Sequence, residues 1–246
     1  MINTAILSFG AGGFQIQCVL DSIFFEELEN IELSAVIVNQ ENSRALERAR
    51  HAGVPVYLVN RELFPNEASF TLAILNKLAD LDIELVIAPG VGERIAPSLA
   101  CAFAGRIIAT KHSLYPAFLN AGEEESLKKS LEMGLKLSGS TVFMPDKEGD
   151  VGKILYQKAV PVLEEDDKYS LLHRILDEAE SEILLEAIRD CCDKLTAEKK
   201  EREEREKESE GGREQAENAR KNEAVPESEN SPETELCARA EEESSG

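Results

Sequence analysis

Apolar positions in the first 110 residues switch repeatedly between two periods. Short runs rich in branched side chains, Thr4–Ser8, Ser34–Val38, Val54–Val59, Glu84–Ala88 and Arg106–Thr110, read as strands. Between them lie stretches with an apolar stripe at helical spacing. These are Phe14–Leu28, a segment carrying Ala45, Leu46, Ala49 and Ala52 up to a stop at Gly53, Ala68–Leu81, and Pro97–Ala104. Glu84–Ala88 is nearly all apolar, as suits a parallel strand covered on both faces. This alternation predicts an α/β fold with an open, doubly wound, mostly parallel sheet. After residue 110 the rhythm changes. Pro116–Gly122 reads as loop and Glu123–Met133 as helix, and Ser140–Met144 with Lys153–Val160 reads as an antiparallel hairpin closed by Pro145–Gly152. A long last helix is predicted from Lys168 to about Leu195, with Leu171, Leu172, Ile175, Leu176, Ile183, Leu184, Ala187 and Ile188 on its buried face.

Charge divides the chain. Of 246 residues, 42% are hydrophobic, enough for a sizeable core, yet the net charge is −21. Residues 194–246 contain 17 acidic and 10 basic residues and no aromatic residue, so this segment buries too little apolar surface to offset its ordering entropy. Two parts are therefore expected. Residues 1–193 form an α/β domain, and residues 194–246 an acidic low-complexity tail. Glu198–Glu210 extends the last helix, Gly211-Gly212 ends it, and the remainder is disordered. The tail is either a solvating spacer or, over Lys194–Glu210, a helix for a protein partner.

The same charge argues against nucleic acid and anionic membrane surfaces as partners, because both require clustered Lys and Arg. The opening MINTAILSFG has no basic n-region, and no apolar run approaches the roughly 20 residues of a membrane span, so a cytoplasmic protein is expected. Cys18, Cys101, Cys191, Cys192 and Cys237 form no CxxC pair, and with His51, His112 and His173 as the only histidines, no metal site is predicted.

In a sheet of this kind, ligands bind beyond the carboxyl ends of the strands. Four segments are candidates. Ser8-Phe-Gly10-Ala11-Gly12-Gly13 is a glycine loop opening a helix, suited either to an anion on free backbone N–H groups or to a tight turn. Gln15 stands where a dinucleotide loop has its third glycine, and the second strand ends in Asn39-Gln40 without an acid for a ribose. The others are Ala88-Pro-Gly90-Val91-Gly92, the run Ala109-Thr110-Lys111-His112-Ser113, and the hairpin turn with Asp150. His112 suits an acid or base near neutral pH and equally a satisfied loop residue. Asp150, between Gly149 and Gly152, reads by itself as a turn carboxylate.

Taken together, several segments resemble the folate-dependent glycinamide ribonucleotide formyltransferases. They are Glu47–Pro55, Glu84–Gly90, Ala104–Ile108, Ser113–Pro116, Gly139–Val142 and Asp150–Val162, and the likeness runs over roughly residues 2–190. The resemblance implies about seven strands, with a nucleotide substrate over Gly10–Gly13 and formyl-tetrahydrofolate as co-substrate beside Gly90, Val91, Gly92, Ile95, Asp146 and Gly149. It implies formyl transfer to the amine of glycinamide ribonucleotide, a step in purine biosynthesis, through a tetrahedral oxyanion. The family performs this with an Asn-x-His pair after the fifth strand and an Asp in the hairpin loop. Asp150 occupies the Asp position. Ala109 and Lys111 occupy the Asn and His positions in the ungapped register, and a one-residue slip puts Thr110 and His112 there instead. Glu180 matches a family glutamate after a one-residue insertion. Glu67 replaces a phosphate-binding arginine, and Gly122–Glu125 replaces a histidine-containing segment. These departures leave two alternatives beside formyl transfer to the family's substrate: a less anionic acceptor, or a binding protein that has lost turnover.

Overall fold

A computed structural model of the chain describes residues 1–9, 13–90, 95–119 and 121–223, with side chains as far as residue 207. Met1–Lys199 form one compact unit and Lys200–Gly246 a second. The first unit is built on seven strands, among the described residues, in the spatial order β3-β2-β1-β4-β5-β6-β7. These are β1 (Ile2–Ser8), β2 (Ile31–Val38), β3 (Val56–Leu58), β4 (Leu85–Ala88), β5 (Ile107–Lys111), β6 (Leu137–Pro145) and β7 (Val151–Pro161). The first five run parallel, and β6 and β7 are antiparallel to their neighbours. The open, mostly parallel sheet with its terminal hairpin agrees with the expected architecture.

Side chains alternate between two buried layers, as the period of a strand requires. From β1, β4 and β5, Ile2, Ile6, Leu85, Ile87 and Ile108 join one cluster, with Ile183, Leu184 and Ile188 of the last helix. Ala5, Leu7, Val86, Ala88, Ile107 and Ala109 join the opposite cluster, with Phe70, Ile74 and Leu99. That second layer is carried by α3 (Glu67–Asp80) and α4 (Pro97–Ala102), whereas α1 (Phe14–Phe24) and α2 (Arg44–His51) cover the first. Ser43 and Asn66 cap α2 and α3 by accepting from backbone N–H groups with their side chains.

Beyond shifts of a few residues at strand ends, three features of the helices differ from the sequence reading. Helix α1 stops at Phe24, four residues early, because Glu26 takes a positive φ of 57° that breaks the helical path. The last helix is not uniform: α6 (Lys168–Arg174) passes into a π-turn at Ile175–Glu180 and then into α7 (Ser181–Glu223). Finally, α7 runs through Gly211-Gly212 instead of ending there. Each glycine costs a helix interior about 1 kcal/mol, and the flanking sequence is dense in strong helix formers with spaced opposite charges. Lys194–Glu198 and Arg202–Glu206 are two such pairs. The expected disorder beyond residue 223 lies outside the described residues. Cys191 and Cys192 are both buried, with burial pushing their thiols up to about 11 and about 12, so neither is poised for redox chemistry. No described helix is long and apolar enough to cross a membrane.

Ile87, fully enclosed in the layer beneath the last helix, should lose roughly 2–5 kcal/mol of unfolding free energy on Ile87→Ala. Leu63→Ala, at a position 78% exposed, should change it by less than about 0.5 kcal/mol. Urea unfolding of the two variants checks the assignment of the core.

Candidate active site at the carboxyl edge of the sheet

The chemistry gathers where β4 and β5 end. Strand β5 sends successive side chains to opposite layers, so Thr110 falls on the side of Ile108 and the last helix, while Ala109 and Lys111 face the other way. Thr110 Oγ1 accepts the N–H of Gly90 at 3.1 Å and donates to Glu180 Oε1 at 3.0 Å. Ser140 on β6 donates to Glu180 Oε2 at 2.9 Å, and His112 Nε2 donates to the same oxygen at 2.9 Å. The other ring nitrogen of His112, Nδ1, lies 3.5 Å from Glu123 Oε2, at the first residue of α5 (Glu123–Glu132). The Gln15 amide stands 3.4 Å from His112 Nε2.

Local chain direction explains this convergence. After β5 the backbone is fixed by Thr141, whose hydroxyl donates to Ser113 O at 2.6 Å and accepts from Tyr115 N–H at 3.0 Å. Gln157 on β7 ties the same turn through Tyr115 O at 2.8 Å. Glu180 arrives from the π-turn, where Ser181 N–H bonds to Leu176 O five residues back. A π-turn accommodates one more residue than an α-turn.

Burial and charge then set protonation. Burial alone would push the His112 imidazole down, but the carboxylates of Glu180 and Glu123 outweigh it and raise its pKa to about 9. Burial likewise works to raise Glu180, but the His112 charge and the bonds from His112, Ser140 and Thr110 leave it below the usual carboxylate range. Glu123 is held above that range, mainly by burial, with His112 opposing and Glu180 reinforcing the shift. At neutral pH the cluster is therefore an imidazolium clamped to an ionised Glu180, with a proton-hungry Glu123 beside it.

The candidate residues separate into two groups. His112 and Thr110 come together with Glu180. Both nitrogens of His112 face glutamates, Glu180 and Glu123. Glu180 is 1% exposed, with both oxygens engaged inside the protein. Lys111 lies on the opposite face, half-buried, with Nζ donating to Phe118 O at 3.3 Å. Ala109 is enclosed in the apolar layer alongside Phe143 and Val151, the neighbour of Asp150. Asp146 Oδ1 accepts the N–H groups of Glu148 and Asp150 at 3.0 and 2.9 Å and so shapes the hairpin turn. Ile95 N–H donates to Gly149 O at 3.1 Å, tying the segment after β4 to that turn.

In the glycine loop, Gly13 carries φ 154°, and a Cβ there would sit 2.7 Å from Ala45 N, so only glycine allows this approach to α2. Arg48 Nη1 donates to Gly13 O at 2.5 Å. Gly10, Ala11, Gly12, Val91 and Gly92 lie outside the described residues. At Glu67, the carboxylate pairs with Arg61 Nε at 3.1 Å in an exposed setting. No His, Cys, Asp or Glu grouping able to hold a metal occurs among the described residues. Sequence reasoning did not find Ser140, Gln15 or the part played by Glu123. The only local signal was the position of Glu123 as the opening residue of the helix that follows the loop after β5.

A doubly wound sheet with a polar cluster at its carboxyl edge and an antiparallel hairpin beside it defines an α/β protein whose cluster sits where sheets of this kind bind ligands. The chain belongs to the formyl transferase family, whose model matches residues 3–188. Among solved structures, it resembles glycinamide ribonucleotide transformylase 1 from Symbiobacterium toebii, with 33% identity and a TM-score of 0.71, over 78% of this chain and 88% of that one. The phosphoribosylglycinamide formyltransferase of Mycobacterium tuberculosis is 36% identical over 141 residues, 57% of this chain and 64% of that protein. The human trifunctional purine biosynthetic protein adenosine-3 is 29% identical over 173 residues, 70% of this chain and 17% of that protein. The chain thus spans less than two thirds of the length of these two curated relatives.

The raised pKa of His112 has a thermodynamic consequence. A folded-state value above the unfolded 6.5 means its stabilisation is complete below about 6.5 and lost as pH rises through about 9. At about 1.4 kcal/mol per unit, unfolding free energy should fall by roughly 3 kcal/mol between pH 6.5 and pH 9.5. His112→Gln should remove that decline. Because the chain has three histidines, proton NMR should resolve one imidazole titrating near 9 that is missing from the variant.

Proposed function

We propose that the protein transfers a formyl group from formyl-tetrahydrofolate to the amine of glycinamide ribonucleotide. The observation that carries this reading is the joining of the post-β4 segment to the Asp150 hairpin through Ile95 and Gly149, in a chain that matches the family model from β1 to α7. Gly90, Ile95, Asp146 and Gly149, with Val91 and Gly92, form the folate side. The loop Gly10–Gly13 forms the phosphate side. The Arg61–Glu67 pair is exposed, and such pairs contribute about 1 kcal/mol or less. A phosphate dianion can therefore draw Arg61 away from Glu67 and use its planar fork of donors.

In this reading the Lys111 ammonium supplies positive charge for the developing oxyanion in place of the family histidine, and Asp150 orients a water or the ammonium at the reacting centre. His112 acts one layer down. Its bond to Glu180, with Thr110 donating to the same carboxylate and accepting from Gly90 N–H, fixes the end of β4 against the end of β5. A second reading, a formyltransferase-fold protein that binds without turnover, draws on Ala109. Its buried methyl offers no hydrogen-bond donor where the family has an asparagine, and losing one oxyanion donor costs about 100- to 1000-fold in turnover.

Purified protein assayed with formyl-tetrahydrofolate and glycinamide ribonucleotide should form the N-formyl product. Asp150→Asn and Lys111→Ala should each lower kcat by at least about 100-fold with folate binding retained. Folate binding by calorimetry without turnover in the unmodified protein would decide for the binding role.

A further inference from the structure

Among the described residues, the polar side-chain atoms enclosed at the carboxyl edge of β4 and β5 all have partners except one. Glu123 Oε1 is buried with no hydrogen-bond donor. An enclosed carboxylate oxygen without a donor is costly, which marks the place where a donor from outside the chain belongs. Gly90 keeps that place open. Its φ is 58°, and a Cβ added there would stand 3.8 Å from Glu123 Oε1 and 3.1 Å from the Gln15 amide nitrogen. Accessibility selects the same residue: a quarter of the Glu123 side chain remains open, against 5% for His112 and 1% for Glu180.

Building on the formyl-transfer reading above, we propose that Glu123 is the proton carrier of the reaction. The amine nitrogen bonds to the formyl carbon, and the carbonyl π pair moves to oxygen. The surplus amine proton passes to the Glu123 carboxylate. On collapse, the oxygen pair re-forms the carbonyl, the bond from carbon to the folate nitrogen breaks, and the departing nitrogen takes the proton back from Glu123. The net change is one formyl group moved one way and one proton the other, with Glu123 returned to its starting state.

The surroundings suit this task. Burial raises the affinity of Glu123 for a proton, while the neighbouring His112 imidazolium and the Lys111 ammonium keep it from being permanently protonated. The His112–Glu180 pair beneath is saturated with internal bonds and does not compete for the proton.

The test compares the full chain with Glu123→Gln and Glu123→Asp, measuring kcat and KM for both substrates across pH. Glu123→Gln should lower kcat by about 100- to 1000-fold, leave KM for formyl-tetrahydrofolate unchanged, and abolish the acid limb of the kcat profile. Glu123→Asp should restore part of the rate together with a limb at altered pH, which a purely structural role would not produce. A His112 imidazole that still titrates above 6.5 in Glu123→Gln, held there by Glu180 alone and therefore lower than in the unmodified protein, reports an intact fold. If the unmodified protein turns over and Glu123→Gln keeps its rate within about threefold with the same acid limb, the role of Glu123 is overturned and formyl transfer stands. If the unmodified protein forms no product with folate bound, both are overturned.

Discussion

The ion pair between His112 and Glu180 binds three elements that are distant in sequence into one edge. His112 follows β5, Glu180 closes the π-turn, and Ser140 and Thr110 add bonds from β6 and β5 to the same carboxylate. Burying two charges is unfavourable unless each lone pair and proton is met, and here both carboxylate oxygens are. Thr110 then passes the constraint to Gly90, so the backbone at the end of β4 is indexed to this pair. A buried charge pair of this kind contributes little net stability compared with an apolar substitute, but removing either partner leaves the other stranded. Its value lies in allowing one arrangement of β4, β5 and the last helix.

Most of the architecture was legible because it rests on periodicity. The strands β1, β4 and β5 announce themselves through branched apolar runs, and their two-layer burial follows from alternation alone. The departures came from interactions that a local pattern does not carry. The end of α1 at Phe24 depends on a positive φ at Glu26, and the persistence of α7 through Gly211-Gly212 depends on the summed helix preference of its neighbours. The π-turn is invisible to a hydrophobic stripe, since Leu171, Ile183 and Leu184 on either side of it and Ile175 within it are all buried.

The site was legible only in part, for a related reason. The sequence narrows the reactive segment to Ala109–Ser113, but it does not say which face each residue takes. Once β5 pairs with β6 at Ala109↔Phe143 and Lys111↔Thr141, the faces are assigned. Thr110 and His112 meet the last helix, and Lys111 meets the loop carbonyl of Phe118. The partner of His112, Glu180, lies 68 residues further along and owes its orientation to the π-turn. Glu123 registered in the sequence as unwelcome acidity near a phosphate. In the fold it stands beside an imidazolium, where the same charge is neutralised.

The π-turn also turns chain length into a positional variable. Each residue of an α-helix advances the side chains by about 100°, so a helix through Ile175–Glu180 with one residue fewer would rotate everything before it relative to everything after. With Ile183, Leu184 and Ile188 anchored in one core cluster and Leu171 and Ile175 in another, that rotation would pull one of the two sets out of its layer. The count of residues in one helical turn thus sets the packing of this helix as firmly as the identity of its apolar side chains.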